Sequence, residues 1–390
     1  MLELLDSASR NGTDYGEFEK LLKEIDSNTF CEPVKLKDCS LLSYLEKEEN
    51  SVICALSPKG MRVKFDRKVM LLRGGPELLA EMEDHTKLMI RHGASTYYTS
   101  MNMISTFKQR VRLGGDAILT PSFFRDRYMA QLMEIYQPRA NLVIRNSVKG
   151  ENQIGKVFAV MGGDYKYIPQ QSLLDLIEML RHSLGKLNCR AWNVDNTFSE
   201  IYVEFPDKAD EIRTLYGFSD DFVPGLYLAT SDVGESSLIV RESWRLGGSI
   251  VTGREEKTRH DKRFNLEEMF CNIKNSIYEQ YTELPERLAD LLVIPVMDLD
   301  KTVQSLMEQT GIQKAIGKRN SNQLEKAIVQ ELDPALPHNA YDVAVSFMTL
   351  GQRCTGMAQS SVNAIERLAM KAAFANYSIP APAITLAMPA

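Results

Sequence analysis

Two neighbouring segments, Leu226-Tyr-Leu-Ala-Thr230 and Ser237-Leu-Ile-Val-Arg-Glu-Ser-Trp244, decide the fold of this chain. Both are rich in the aliphatic, aromatic and β-branched residues that strands favour. The run Ser231-Asp-Val-Gly-Glu-Ser236 joins them, and short polar runs that contain glycine are typical of hairpin loops. The stretch therefore predicts an antiparallel β-hairpin.

The same pattern recurs on both sides of this hairpin. Segments 51–56 and 61–65, 141–148 and 156–161, and 189–194 and 200–205 are short strand candidates next to turn-forming residues. Between them, an apolar helical face is formed by Leu173, Leu174, Ile177, Leu180 and Leu184. A strand-rich middle with inserted helices predicts an α+β fold built on a central, curved antiparallel sheet. It is not the regular βαβ alternation of dinucleotide-binding folds.

The two ends of the chain differ from this middle. Leu21, Leu22 and Ile25 predict a short amphipathic helix near the N-terminus, and Gly74-Gly75-Pro76 predicts the start of a helix over 77–91. From 264 onward the periodicity is helical, up to a tail rich in proline and alanine. We predict four parts: an acidic helical appendage over 1–50, an α+β core domain over 51–263, a helical region over 264–376 and a Pro/Ala tail over 377–390.

Composition excludes several classes of protein. The chain is 44% apolar and 25% charged, which is ordinary for a globular protein and not for a fibrous or disordered one. No apolar run reaches the roughly 20 residues that span a bilayer, and the acidic N-terminus lacks a signal-peptide pattern. The six cysteines form no CxxC pair. These features predict a cytoplasmic protein with reduced cysteines and no membrane partner.

Charge is distributed unevenly along the chain. Residues 1–50 hold 12 acids and 6 bases, which accounts for the whole net charge of −6. Two stretches are basic instead: 104–149 has 8 bases against 3 acids, and 241–263 has 7 against 4. A local basic field attracts a polyanion even when the total charge is negative.

Catalytic signatures are absent from the sequence. It contains no GxGxxG, HExxH or GxSxG motif, so we predict no cofactor, no metal site and no catalytic residues. An enzyme that binds a metal ion stays open as an alternative, because carboxylates are common metal ligands. The candidate ligands are Asp164, Asp220, Asp221, Asp232 and Glu235.

The second basic stretch is the candidate binding site. Its glycines, Gly247, Gly248 and Gly253, allow a backbone to approach a ligand closely, and Trp244 is a candidate for stacking on a base. The alternative is that Trp244 belongs to the core and that the loop is merely exposed. The predicted nucleic-acid-binding residues are Trp244, Arg245, Arg254, Lys257, Arg259, His260 and Lys262, with Arg110 and Arg112 beside them.

Four features in this order resemble a known family. They are Asp164-Tyr-Lys-Tyr-Ile-Pro169 before a leucine-rich helix, the hairpin PGLYLATSDVGESSLIV, the loop from Arg245 to His260, and the helix AYDVAVSFMTL near 340. Over roughly 90–355 the chain resembles the phage/plasmid-like proteins, a family of unknown function. It departs from them at Leu246-Gly247-Gly248-Ser249, where a cysteine and an asparagine are expected before the glycine.

The resemblance implies a protein of a phage or plasmid. Together with the basic stretches it predicts a nucleic-acid-binding protein, and by analogy of fold a single-strand annealing recombination protein that forms a homo-oligomer. The expected ligand is single-stranded nucleic acid, DNA rather than RNA. A virion or assembly protein, or a metal-dependent enzyme acting on nucleotides or nucleic acid, is the alternative.

Overall fold

The computed structural model contains two large β-sheets and a set of helices that cover them. It describes residues 3–113, 122–136, 139–149, 152–218, 222–234, 236–246, 249–258, 265–354 and 359–378. Within these ranges the strand pairs are antiparallel, apart from one parallel pair. The prediction of an α+β fold with antiparallel sheets is confirmed, although two sheets take the place of one central sheet.

The bounds of the elements follow in chain order. The strands are β1 (Ser9–Gly12), β2 (Thr29–Lys35), β3 (Cys39–Glu48), β4 (Ser51–Ser57), β5 (Met61–Asp66), β6 (Leu88–His92), β7 (Ser95–Thr99), β8 (Arg139–Lys149), β9 (Asn152–Gly162), β10 (Asn188–Asp195), β11 (Ser199–Glu204), β12 (Val223–Thr230), β13 (Leu238–Leu246), β14 (Ser249–Thr258), β15 (Pro295–Val296) and β16 (His338–Asn339). The helices are α1 (Tyr15–Asn28), α2 (Arg67–Glu81), α3 (Met101–Arg110), α4 (Ser122–Tyr136), α5 (Gln171–Leu184), α6 (Pro206–Tyr216), α7 (Leu266–Leu291), α8 (Leu299–Thr310), α9 (Ile312–Ile316), α10 (Lys318–Leu332), α11 (Ala340–Met348) and α12 (Gln359–Ala369).

The strand order separates the two sheets. The six-stranded sheet runs β1-β10-β11-β12-β13-β14, and the eight-stranded sheet runs β2-β8-β9-β7-β6-β3-β4-β5. The hairpins predicted from the sequence are present as β4–β5, β8–β9 and β12–β13. Strands β7 and β9 are the parallel pair.

The helices bury the apolar faces of both sheets. One apolar core joins the six-stranded sheet to α1, α5 and the C-terminal helices. A second lies between the eight-stranded sheet and α3 and α4, and a third lies between that sheet and α2. The predicted apolar faces of α1 and α5 are buried in the first core. Helices α7 to α12 occupy the region predicted to be helical.

The N-terminal 50 residues do not form the predicted helical appendage. They contain α1, but β1 pairs with β10 in one sheet, whereas β2 and β3 belong to the other. Phe18 of α1 is fully buried. The segment is therefore built into both sheets. Of the other predicted parts, the Pro/Ala tail lies outside the described residues from 379 onward, and the division between core domain and helical region stays a prediction.

Helix α2 also departs from the prediction of a helix over 77–91. It begins ten residues earlier, because the Asp66 carboxylate caps it by accepting the backbone N–H groups of Lys68 and Val69. Gly75 kinks it with a left-handed φ of 75°, and Pro76 follows. The last residues of the predicted helix instead form β6.

Candidate nucleic-acid interface

Trp244 lies in the core and not on a binding surface. Its side chain is 0% exposed, and its ring packs against Phe222 and Tyr281 at centroid distances of 5.1 and 5.2 Å. Its indole N–H donates a hydrogen bond to the buried Glu242 carboxylate. Stacking on a base requires an exposed ring face, so the prediction that Trp244 stacks on a base is wrong for this conformation.

The other predicted bases of this stretch that the structure describes are paired with acids. Arg245 Nε donates to Glu204 at 2.9 Å, Arg254 to Glu283 at 2.9 Å, and Lys257 contacts a glutamate of its own strand at 2.6 Å. Ion pairs of this kind neutralise much of the charge that would attract phosphates. The remaining predicted residues, Arg259, His260 and Lys262, with Gly247 and Gly248, lie outside the described residues.

The polar face of the six-stranded sheet shows the same pairing. Arg241 Nε donates to Glu255 at 2.8 Å, and its guanidinium lies 5.3 Å from the centre of the Tyr227 ring. Arg190 donates to Glu204 at 2.7 Å. Cations and carboxylates alternate across the strands, as expected of a face held together by cross-strand pairs.

Arg110 and Arg112 do not belong to the six-stranded sheet. Arg110 is the last residue of α3 and Arg112 follows two residues later, and this helix packs on the eight-stranded sheet. The chain leaves this helix through two backbone hydrogen bonds, Leu113 N to Lys108 O at 2.9 Å and Arg112 N to Gln109 O at 3.2 Å. This is the pattern of a Schellman motif, whose left-handed position is usually glycine. Here Arg112 occupies that position with a φ of 55°. A left-handed arginine is about 1–2 kcal/mol less favourable than a right-handed one.

Further bases lie beside these two arginines. Arg139 opens β8 and is directly opposite Lys35, the last residue of β2. Arg110 lies against Gly162, with its Nη1 atom 3.0 Å from the point where a Cβ atom on this glycine would be. The following residue, Gly163, packs against the Arg139 side chain. Lys37 stands two residues after Lys35, in the short turn that follows β2. We call five residues the basic rim: Lys35, Lys37, Arg110, Arg112 and Arg139.

The basic rim differs from the six-stranded sheet in that its charges are not neutralised. Within the described ranges, none of its five members forms an ion pair with an acid. The Nε of Arg110 is buried without a hydrogen-bond partner. Three exposed acids stand close to these five bases along the chain: Asp38 follows Lys37, Glu134 lies near the end of α4, and Asp164 follows the glycine that faces Arg139. The rim therefore presents a net positive surface.

The basic stretch 104–149 keeps its positive balance at the described surface. Its Asp126 and Arg145 are buried, so neither contributes to the surface. Glu134 is exposed, as are Arg112, Arg127 and Arg139. Burial of one acid and one base leaves the net charge unchanged, so the described surface of this stretch stays basic.

Exposed aromatic side chains adjoin the basic rim. The Arg112 guanidinium lies 5.8 Å from the centre of the Tyr136 ring, within the range of a cation–π contact. Tyr136 is 50% exposed at the end of α4, and Tyr128 and Ile135 are 39% and 69% exposed on the outer side of that helix. Arginine and tyrosine together are a usual combination in nucleic-acid-binding surfaces.

The sequence identifies only part of this surface. It singles out Arg110 and Arg112 through the basic stretch, and it misses Lys35, Lys37 and Tyr136. The two lysines stand in the acidic N-terminal segment, where the local composition hides them. Only the pairing of β2 with β8 brings Lys35 to Arg139.

Of the five carboxylates proposed for a metal-dependent enzyme, the two that the structure describes, Asp164 and Asp232, belong to no cluster that could hold a metal ion. Asp232 is fully buried, and both of its oxygens accept hydrogen bonds from Arg145, at 2.6 and 2.8 Å. Among the residues that the structure describes, no group of three or more His, Cys, Asp or Glu side chains is placed to hold a metal ion. Asp220, Asp221 and Glu235 lie outside those residues.

In the described parts of the chain, no helix has both the length and the apolar character needed to cross a bilayer. No protein-family model, no curated protein and no solved structure matches this chain. The resemblance to the phage/plasmid-like proteins therefore stays a prediction.

Proposed function

We propose that this protein binds nucleic acid through the basic rim. The observation that carries the proposal is Arg112, an exposed arginine in a left-handed conformation, in contact with Tyr136 and without an acidic partner in the described chain. A non-glycine residue in such a conformation is found preferentially at functional sites, where the backbone strain is retained for the sake of the side chain. At this position, a fold selected for stability alone favours glycine.

Charge supports a polyanion as the ligand. Unpaired bases attract phosphates and release their condensed counterions on contact. Acids already neutralise the described bases of the six-stranded sheet, and a phosphate would have to compete with those carboxylates. The proposal therefore moves the predicted site from the loop after Trp244 to the surface around Arg110 and Arg112.

Arg112→Gly tests the proposal without disturbing the fold. Glycine adopts the left-handed conformation freely, so we expect the free energy of unfolding to stay the same or to rise by up to about 1 kcal/mol. Binding of a fluorescent oligothymidylate should weaken severalfold at low salt, because one phosphate contact is lost. Fluorescence anisotropy and urea denaturation measure the two effects.

Arg254→Ala is the matched control, since it removes an exposed arginine that is paired with Glu283. It should leave the affinity nearly unchanged. An affinity that falls for Arg254→Ala and stays constant for Arg112→Gly would place the site on the six-stranded sheet and refute the proposal. Annealing activity and a phage or plasmid origin go beyond this proposal and stay predictions.

A further inference from the structure

The aromatic surface next to the basic rim suggests which form of nucleic acid binds. Tyr136 is held beside Arg112 at the end of α4, close to Arg139, the first residue of β8. Half of its surface remains exposed. On the same helix, Tyr128 and Ile135 are seven residues apart, which is two helical turns, so they share the outward side.

The inner side of α4 explains why Tyr128 faces outward. Met129, Ala130, Leu132 and Met133 fill the core beneath the helix. Tyr128 points away from these residues. Tyr136 follows Leu132 by four residues and Met133 by three, so it continues the inner side at the last position of α4, yet it stays 50% exposed there. Burial in this core therefore does not account for Tyr128, and it covers at most half of the surface of Tyr136.

We infer that unpaired bases stack on Tyr136, with Tyr128 as a second platform, while the basic rim holds the phosphates of the same strand. This inference rests on the proposed function and adds to it the class of ligand, single-stranded nucleic acid. Bases in a duplex are already stacked on their neighbours, and their faces are closed to a tyrosine ring. A single strand leaves those faces open, and any base can use a π platform.

The contact between Arg112 and Tyr136 supports this assignment. The guanidinium restricts the ring before the ligand arrives, which lowers the entropy lost on binding. It also places a cation beside the ring, where the phosphate next to a stacked base would lie. Binding of duplex DNA by charge alone does not require an exposed tyrosine ring beside the arginine.

Tyr136→Leu provides the test, with Tyr136→Phe as the conservative variant and Ile135→Ala as the control on the same helix. Wild-type protein should bind an oligothymidylate more tightly than a duplex of equal length and equal salt. Tyr136→Leu should lose roughly 5- to 150-fold in affinity for the single strand, whereas its affinity for the duplex should hardly change. Tyr136→Phe and Ile135→Ala should bind the single strand like wild type.

Equal affinity for the single strand and the duplex, together with no effect of Tyr136→Leu, would overturn the inference and leave the proposed function standing. Binding to neither oligonucleotide would overturn both. A loss that is the same for Tyr136→Leu and Tyr136→Phe would also overturn the inference, because it would assign the effect to the hydroxyl group and not to the ring. A parallel titration with oligouridylate compares RNA with DNA on the same variants.

Discussion

At the scale of single residues, the sequence context of Trp244 suggests a binding role that the structure does not support, and the context of Arg112 does not reveal its left-handed backbone. Trp244 adjoins a basic, glycine-containing loop, yet it belongs to the buried face of β13 with Val240 and Leu246. Arg112 follows the end of an ordinary helix, yet it is one of three described non-glycine residues with a positive φ, together with Lys87 and Asp333. The pairing register of a strand decides which face of the sheet a residue points to, and the local sequence does not reveal that register. The identity of a residue as arginine does not indicate that its φ is positive.

Trp244→Ala should lower the free energy of unfolding by about 3–5 kcal/mol, because it removes a buried aromatic side chain and leaves a cavity. Folded protein should still bind the oligonucleotide with wild-type affinity. Urea denaturation followed by circular dichroism measures the first effect, and anisotropy at a temperature below the transition measures the second. Lost binding with unchanged stability would return Trp244 to the binding site.

Glu242 gives a prediction for the pH dependence of stability. Burial raises the pKa of this carboxyl above its ordinary value of 4.5. As the pH rises above 4.5, the unfolded chain releases the proton while the folded chain still holds it, so this group makes the protein less stable with increasing pH. Glu242→Gln cannot titrate. The difference in melting temperature between this variant and wild type should therefore change in favour of the variant as the pH rises above 4.5. A difference that stays constant with pH would contradict a raised pKa for Glu242.

At the scale of elements, the sequence predicts periodic segments well and their partners poorly. The leucine spacing of α5 and the hairpin β12–β13 can be predicted from neighbouring residues alone. The pairing of β2 with β8 joins residues more than a hundred positions apart, and no local pattern encodes it. The sequence places the start of α2 too late, because Gly74-Gly75-Pro76 has the composition of a helix start but forms a kink inside the helix.

Cysteine reactivity checks the placement of three elements. Cys271 on α7 is exposed, whereas Cys39 on β3 and Cys54 on β4 are buried, and burial raises the pKa of both of these thiols to about 12. Because the thiolate is the reactive form, iodoacetamide at mildly alkaline pH should label Cys271 first and label Cys39 and Cys54 only after denaturation. Peptide mass spectrometry measures the order. Early labelling of Cys54 would show that β4 is misplaced.

At the scale of the whole molecule, a buried polar cluster joins the two sheets. Arg145 of the eight-stranded sheet donates to Asn196 and to Asp232, which follow strands of the six-stranded sheet. Tyr165 donates to the Asp232 carbonyl at 2.7 Å. The segments around Tyr165 and Asp232 are two of the features on which the family resemblance rests, but their contact with Arg145 depends on the complete fold. Self-association, which the sequence also predicts, stays a prediction.

Arg145→Ala should destabilise the protein by about 3–5 kcal/mol, because it leaves the Asp232 carboxylate buried and unpaired. Arg145→Ala combined with Asp232→Ala should recover part of that loss, since no uncompensated charge remains. Chemical denaturation of the two variants and wild type measures both differences. A loss below about 1 kcal/mol in the single variant would mean that the cluster is not buried as described.

The salt dependence of binding is the sharpest test of whether the basic rim binds nucleic acid. Each phosphate contact to a single strand contributes a slope of about −0.7 to log K against log salt concentration. Five contacts predict a slope of about −3.5 for wild type, and the variant Lys35→Ala/Arg112→Gly/Arg139→Ala should show about −1.4. The control Arg254→Ala/Lys257→Ala should keep the wild-type slope. An unchanged slope in the rim variant and a reduced slope in the control would show that nucleic acid binds to the six-stranded sheet and not to the basic rim.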